Sequence, residues 1–370
     1  MMIEKAVSSD LAIPPGEYLE EVIASLGMSK DELARRMARP ATKLSLIFKG
    51  EKAITAETAL QLEKVVGVPA HIWLGLDSEY RLTLARQQEQ EEEERLKNEV
   101  GLVSQYCYSE LVKVGIVQAK TRPQDKVLEL QRFFGVASLR AVPEVRRYQA
   151  AFRQGMSKRQ CKSPEALVAW LRYGEIKAQG ISCGPFDKAS LRRVIGEIRS
   201  LTTNEPSEFS TRLVDTLAKV GIALVICPHF KGTGAHGATF RLSRDKVVLM
   251  ITIRGAWADI FWFSLFHELG HIILHDRQEI IFENDGNDDP EFIQREKEAD
   301  AFATDTLIQP AAFQKFVAGG DFREETIRVF SQTISIDPGI IVGRLQHDGH
   351  LKPQWHNGLR TRYAWSKPEN

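Results

Sequence analysis

His267-Glu268-Leu269-Gly270-His271 is the part of this 370-residue sequence with the plainest capacity for chemistry. On a helix, residues four apart share a face, so the imidazoles of His267 and His271 can reach one ion. Zinc suits such a pair, and a catalytic zinc site adds a third protein ligand and keeps one position open. Glu268, beside the first histidine, is placed to take the proton of a water activated there. The flanks are apolar: Phe261, Trp262, Phe263, Leu265, Phe266, Ile272, Ile273 and Leu274. They predict a helix over 259–275, with Asp259 as its N-cap, buried around most of its circumference and polar only at the site. A pair of hydrogen-bonded core histidines is the non-functional alternative. The glutamate between them, in an apolar helix, argues against it.

The third ligand is expected in Glu296-Lys297-Glu298-Ala299-Asp300. Glu296 and Asp300 are one turn apart, so Glu296 can bind the metal while Asp300 takes a hydrogen bond from the far nitrogen of a ligand histidine. Glu298 is the competing ligand; Glu296 is preferred because only it has an acidic residue four positions on. His275 repeats the four-residue step, one turn too far to share the ion, and is read as an outer or surface residue. His236, Arg254 and His275 are the candidates for stabilising an oxyanion. The strand expected at 246–253, just ahead of the metal helix, is read as a rail on which an extended peptide pairs with a sheet edge.

A second constellation lies near the N-terminus, where residues 33–50 have helix-turn-helix spacing. Ser29 caps a predicted helix over 30–37, with Glu32 at the capping-box position. A break at Ala38–Pro40 leads to a helix over 41–49, stopped by Gly50. The second helix is the one that would enter a major groove. Thr42 and Lys43 are then base or phosphate contacts, and Arg35, Arg36, Arg39, Lys49 and Lys52 phosphate contacts. Between Ser29 and Lys52 there are seven Lys or Arg against three acids, so the segment is locally basic.

Further elements must position these residues. Leu19, Val22, Ile23 and Leu26 have helical spacing, ended by Gly27; Thr55 caps a helix over 56–66, stopped by Gly67; a fifth helix follows Pro69. Residues 1–15 form a lead-in ending in Pro14-Pro15. The run RQQEQEEEERLKNE reads as a solvated helix face or linker. Residues 101–200 read as mostly helical. After Ser200 a helix near 209–220, strands at 222–227 and 246–253, the metal helix, a polar loop ENDGNDDPE and a helix near 292–307 follow in order. A helix near 324–331 and a turn at Asp337-Pro338-Gly339 close the chain. The expected division is 1–80, 81–200, 201–315 and 316–370. The fold class is an α-dominated multidomain α+β protein: a five-helix N-terminal bundle, a helical middle region, a C-terminal domain with a small sheet, and a helical extension.

Hydrophobic residues make up 43% and charged residues 26% of the chain, which is ordinary for a globular protein. Formal net charge is zero, so attraction to nucleic acid must come from a local surface. Cys107, Cys161, Cys183 and Cys227 lack CxxC spacing and read as reduced thiols. The N-terminus has no apolar stretch of signal-peptide length, and the apolar run 260–274 is broken by Ser264, His267, Glu268 and His271. A cytoplasmic protein with no membrane partner is expected.

At these motifs the chain resembles known families. GMSKDELARRMARPATKLSLIFKGEKAITAETALQLEKVVGVPAHIWLGL resembles Xre/HigA-type antitoxin and repressor domains. DIFWFSLFHELGHIILH followed by EKEADAFATDTLIQP resembles the ImmA/IrrE metallopeptidases. GATFRLSRDKVVLMITIRG and IDPGIIVGRLQHDGHL are similar to proteins that fuse the two modules in this order. The resemblance implies a zincin-like fold and a regulatory zinc metallo-endopeptidase (Zn2+) that cleaves a repressor- or antitoxin-like protein. It carries His267 and His271 onto the histidine ligands, Glu268 onto the general base and Glu296 onto the glutamate ligand. It also implies double-stranded DNA as a partner and, from the HigA-like part, a homodimer. Pro40 departs from the small polar cap usual before the recognition helix, and Leu46 from a usual polar residue. The alternative function is a DNA-binding regulator of a toxin–antitoxin or phage operon whose zincin-like part senses a metal or partner without turnover. A protein-interaction scaffold is the third.

Overall fold

The computed structural model describes residues 11–149, 152, 163–253, 257–275, 281–282 and 290–364. Residues 1–10, Cys161, Arg254 and most of the expected polar loop lie outside these. The chain forms two compact units, Met1–Asn98 and Glu99–Asn370.

The first unit is helical: α1 (Pro15–Ser25), α2 (Lys30–Arg36), α3 (Ala41–Phe48), α4 (Ala56–Val66) and α5 (Ala70–Lys97). Ser29 Oγ accepts the Glu32 amide and Thr55 Oγ1 the Thr58 amide, so both expected caps form. Gly67 ends α4 at φ 78°, a left-handed conformation that a side chain would disfavour. Leu19, Leu33, Leu44, Ile47, Leu62 and Trp73 fill the core. Gly16 permits α1 to meet α3: a Cβ there would lie 2.1 Å from the Phe48 carbonyl oxygen.

In the second unit, α6 (Tyr108–Lys113), α7 (Pro123–Phe134), α8 (Pro164–Gln179), α9 (Lys188–Ser200) and α10 (Pro206–Lys219) precede the sheet. The strands are β1 (Ile222–Cys227), β2 (Gly237–Ser243), β3 (Lys246–Thr252) and β4 (Ile281–Phe282), in the order β1-β3-β2-β4. β1 runs parallel to β3; β2 is antiparallel to β3 and β4. Between β3 and β4 comes α11 (Ala258–Leu274), and after them α12 (Pro290–Leu307), α13 (Pro310–Ala318), α14 (Glu324–Ile334) and α15 (Pro338–His347). The period of two sorts β3: Val247, Leu249 and Ile251 join the core with Trp262 and Phe266 of α11. Met250 turns the other way, onto α8, where only a glycine at 174 leaves room for its sulfur. Covered on both faces, the strand reads as a continuous apolar run.

Several expectations need correction. The division at 80 fails because the charged run continues α5 without a break, and those at 200 and 315 because Leu191, Phe266, Ile327 and Ile341 share one core. β3 is no substrate rail: it is an interior strand, its backbone committed to β1 on one side and β2 on the other. Asp259 is not the N-cap of α11; Trp257 is, and Asp259 sits in the first turn, buried against Arg360. The turn at Asp337 is the start of α15, with the Asp337 carboxylate accepting the Gly339 amide. Cys107, Cys183 and Cys227 are free thiols. Among the described residues, no helix is long and apolar enough to cross a membrane.

Candidate metal centre

α11 is buried along nearly its whole length, and its polar residues are buried with it: His267 and His271 are 1% exposed and Glu268 0%. A polar group so enclosed must find a partner within the protein. α12 supplies it. Gly270 lets the two helices approach, since a Cβ there would meet the Ala299 backbone at 3.2 Å. That approach brings Glu296 against the histidines, with its oxygens 3.3 Å from His267 Nε2 and 3.2 Å from His271 Nε2. The two Nε2 atoms are themselves 2.9 Å apart. These three residues form the one group among the described residues with ligand atoms close enough to share an ion.

The tautomers show what that convergence means. His267 Nδ1 lies 2.8 Å from the Asp300 carboxylate, so the neutral imidazole carries its proton on Nδ1 and turns its Nε2 lone pair inward. Two imidazole nitrogens and a carboxylate meeting in a buried spot repel one another unless a cation or proton lies between them. A donor set of two imidazoles and one carboxylate fits a divalent transition metal. Burial pushes the His271 imidazole pKa down, partly offset by Glu296, which favours the neutral state that can ligate. Burial works against charge on Glu296 too, but its two histidine contacts outweigh this and hold the carboxyl at about 2.

Glu268 lies against the sheet. Its Oε2 accepts the hydroxyl of Thr239 on β2. Its Oε1 lies over Gly237, where a Cβ would come within 2.5 Å. Neither Gly237 nor Thr239 is singled out by sequence spacing. Their signal, a small residue and a hydroxyl two apart on a strand, is common in any sheet.

The remaining expected residues are placed as follows. Glu298 does not join the cluster; it lies 3.0 Å from His275 Nε2, and His275 Nδ1 lies 3.1 Å from His271 Nδ1. His236 lines a cavity of about 410 Å³ that also touches Phe263 and Asp300. On the first unit, Thr42, Lys43 and Lys49 are exposed and Lys52 is half-buried. Arg35 and Arg36 both pair with Glu32, at 2.7 and 2.8 Å. Arg39 is held by Glu57 and Gln61. The basic patch therefore presents less free charge than its sequence count suggests.

A helical unit with helix-turn-helix spacing, in the same chain as an α+β unit with a histidine–glutamate cluster on a buried helix, defines a class: a regulator coupled to a metallopeptidase-type domain. Residues 241–330 match the model of the IrrE N-terminal-like domain, family Peptidase_M78. The N-terminal region is similar to virulence-associated protein I of Dichelobacter nodosus, 36% identical over 80 residues, covering 21% of this chain and 74% of that protein. It is also similar to the uncharacterized HTH-type transcriptional regulator YddM of Escherichia coli K12, 32% identical over 71 residues, covering 19% of this chain and 76% of the regulator. Among solved structures, an addiction module antidote protein of the HigA family from Coxiella burnetii is 36% identical, covering 22% of this chain and 88% of that one, with a TM-score of 0.21. The chain thus joins an N-terminal region similar to helix-turn-helix regulators to a region that matches the IrrE N-terminal-like domain.

Proposed function

We infer that the protein is a regulatory zinc metallo-endopeptidase with a DNA-binding unit, acting in the cytoplasm on a repressor- or antitoxin-like protein. The observation that carries this is the meeting of His267 Nε2, His271 Nε2 and a Glu296 carboxylate oxygen around one buried point. His267, His271 and Glu296 would hold the zinc, and Asp300 would fix the orientation of His267. A zinc ion so held supplies Lewis acidity, polarising a carbonyl and making water a nucleophile near neutral pH. Glu268 takes the proton of the attacking water and delivers it to the amine released when the peptide bond breaks. Thr239, through its hydroxyl, keeps that carboxylate aimed. The cavity beside Asp300, walled by Ile260, Phe263, Leu307 and Ile340, has the size to accept a substrate side chain. His236, which also lines it, is the oxyanion candidate left among the described residues, because His275 is engaged by His271 and Glu298.

The helix-turn-helix unit would hold the enzyme at double-stranded DNA through Thr42, Lys43, Lys49 and Lys52, with Arg35, Arg36 and Arg39 as secondary phosphate contacts. An antitoxin-like partner and a homodimer belong to the same proposal. Glu268→Gln is the test: cleavage of the partner should fall by about 10²- to 10⁴-fold with zinc retained. Undiminished cleavage would remove Glu268 from the reaction. The second reading, a DNA-binding regulator whose zincin-like part senses metal without turnover, is favoured by the likeness to an HTH-type transcriptional regulator. It predicts operator binding that responds to zinc and no cleavage at all.

A further inference from the structure

We propose that His275 and Glu298 form a positioning relay that fixes the tautomer of His271 for metal binding. The inference rests on the zinc reading above. His275 is the C-cap of α11, and its side chain is buried to within 7% of full enclosure although the residue ends the helix. Its two ring nitrogens are both spoken for. Nδ1 lies 3.1 Å from His271 Nδ1 and Nε2 lies 3.0 Å from Glu298 Oε2. Glu298 Oε1 in turn accepts from the Gln294 side chain at 2.9 Å.

With His271 as a metal ligand, one proton arrangement satisfies this chain. For His271 to offer the lone pair of Nε2 beside Glu296, its proton must sit on Nδ1. That Nδ1–H donates to His275 Nδ1, which therefore carries a lone pair. Neutral His275 then holds its proton on Nε2 and donates it to the Glu298 carboxylate. The two ligand histidines thus have outer partners of different kinds. His267 donates straight to Asp300, whereas His271, a turn further along α11, reaches its carboxylate through a second imidazole. All of these carboxylates come from α12, the helix that also brings Glu296. This explains a buried imidazole too far from the cluster to ligate, and an acidic residue next to the ligand that does not join it.

The test is zinc affinity by chelator competition on the full chain, together with the His271 tautomer read from long-range ¹⁵N–¹H correlations in ¹⁵N-histidine protein. His275→Ala should weaken zinc binding about 10- to 100-fold, the usual loss when an outer partner of a ligand histidine is removed. His275→Asn keeps an acceptor at the place of Nδ1 but gives up the donor to Glu298, and should bind zinc less tightly than wild type and more tightly than His275→Ala. Glu298→Ala, at the exposed end and no threat to folding, should weaken binding in the same direction, and His271 should lose its fixed Nδ1–H signal. The relay is overturned if His275→Ala or Glu298→Ala binds zinc as wild type does, or if His275→Asn is as weak as His275→Ala. Wild-type protein that takes no zinc would overturn the zinc reading itself, a result distinct from wild-type binding with unaffected variants.

Discussion

Arg360→Ala would leave Asp259 charged and buried without its guanidinium. The pair is bidentate, at 2.7 and 3.1 Å, and the side chains are only 12% and 10% exposed. Removing one partner from such a pair typically costs about 3–5 kcal/mol, because the remaining charge stays desolvated. Arg360 also lies 4.5 Å over the Trp257 ring, so packing at the start of α11 is lost too. Next to it, the Ala258 amide donates to the Thr361 carbonyl at 2.9 Å, tying the beginning of the metal helix to the tail. For a unit of this size the expected fall in Tm is roughly 10 °C. Calorimetry of the full chain should show it in the transition that added zinc raises. Asp259→Asn combined with Arg360→Met should recover at least half of the loss, since no charge is then buried alone. A shift under about 3 °C for Arg360→Ala, or a double variant no better than the single one, would refute this account of the pair.

Three further outcomes follow from particular contacts. Gly237→Ala should push Glu268 out of place, because the new Cβ would lie 2.5 Å from Oε1; partner cleavage should fall about 100-fold while zinc affinity stays near wild type. Burial raises the Asp337 carboxyl pKa to about 6, well above its ordinary 3.8. Its protonated form is therefore favoured in the folded state, and that stabilisation is present below pH 4 and lost as pH rises through 6. Asp337→Asn, which keeps an N-cap for α15, should gain on wild type by up to about 3 kcal/mol between those limits, and equal pH profiles of unfolding would contradict this. Lys43→Ala should weaken DNA binding and reduce the slope of log affinity against log salt by about 0.9, while Arg36→Ala, already neutralised by Glu32, should do less.

The metal helix was legible because its chemistry is local. His267, Glu268 and His271 lie within five positions, and the apolar flanks set the helix period. Glu296 and Asp300 were legible for the same reason, as a pair one turn apart. What approaches them across the fold was not. Nothing near Thr239 announces that β2 will deliver its hydroxyl to Glu268, and nothing near Arg360 points back 101 positions to Asp259. The strands over 222–227 and 246–252 were legible, but β2 was not, because Gly237 and Ala238 dilute its apolar pattern. Without β2, β3 would have a free edge. The charge of the helix-turn-helix segment was counted correctly, but not the internal pairing of Arg35 and Arg36 with Glu32, since a count takes no account of rotamers.

Metal content of the purified full chain tests the centre most directly. Wild type and Glu268→Gln should each hold about one zinc per chain, whereas His271→Ala and Glu296→Ala should hold almost none after dialysis against a weak chelator. Zinc retained in full by His271→Ala or Glu296→Ala, or absent from the wild-type protein, would contradict the assignment of these side chains to one metal.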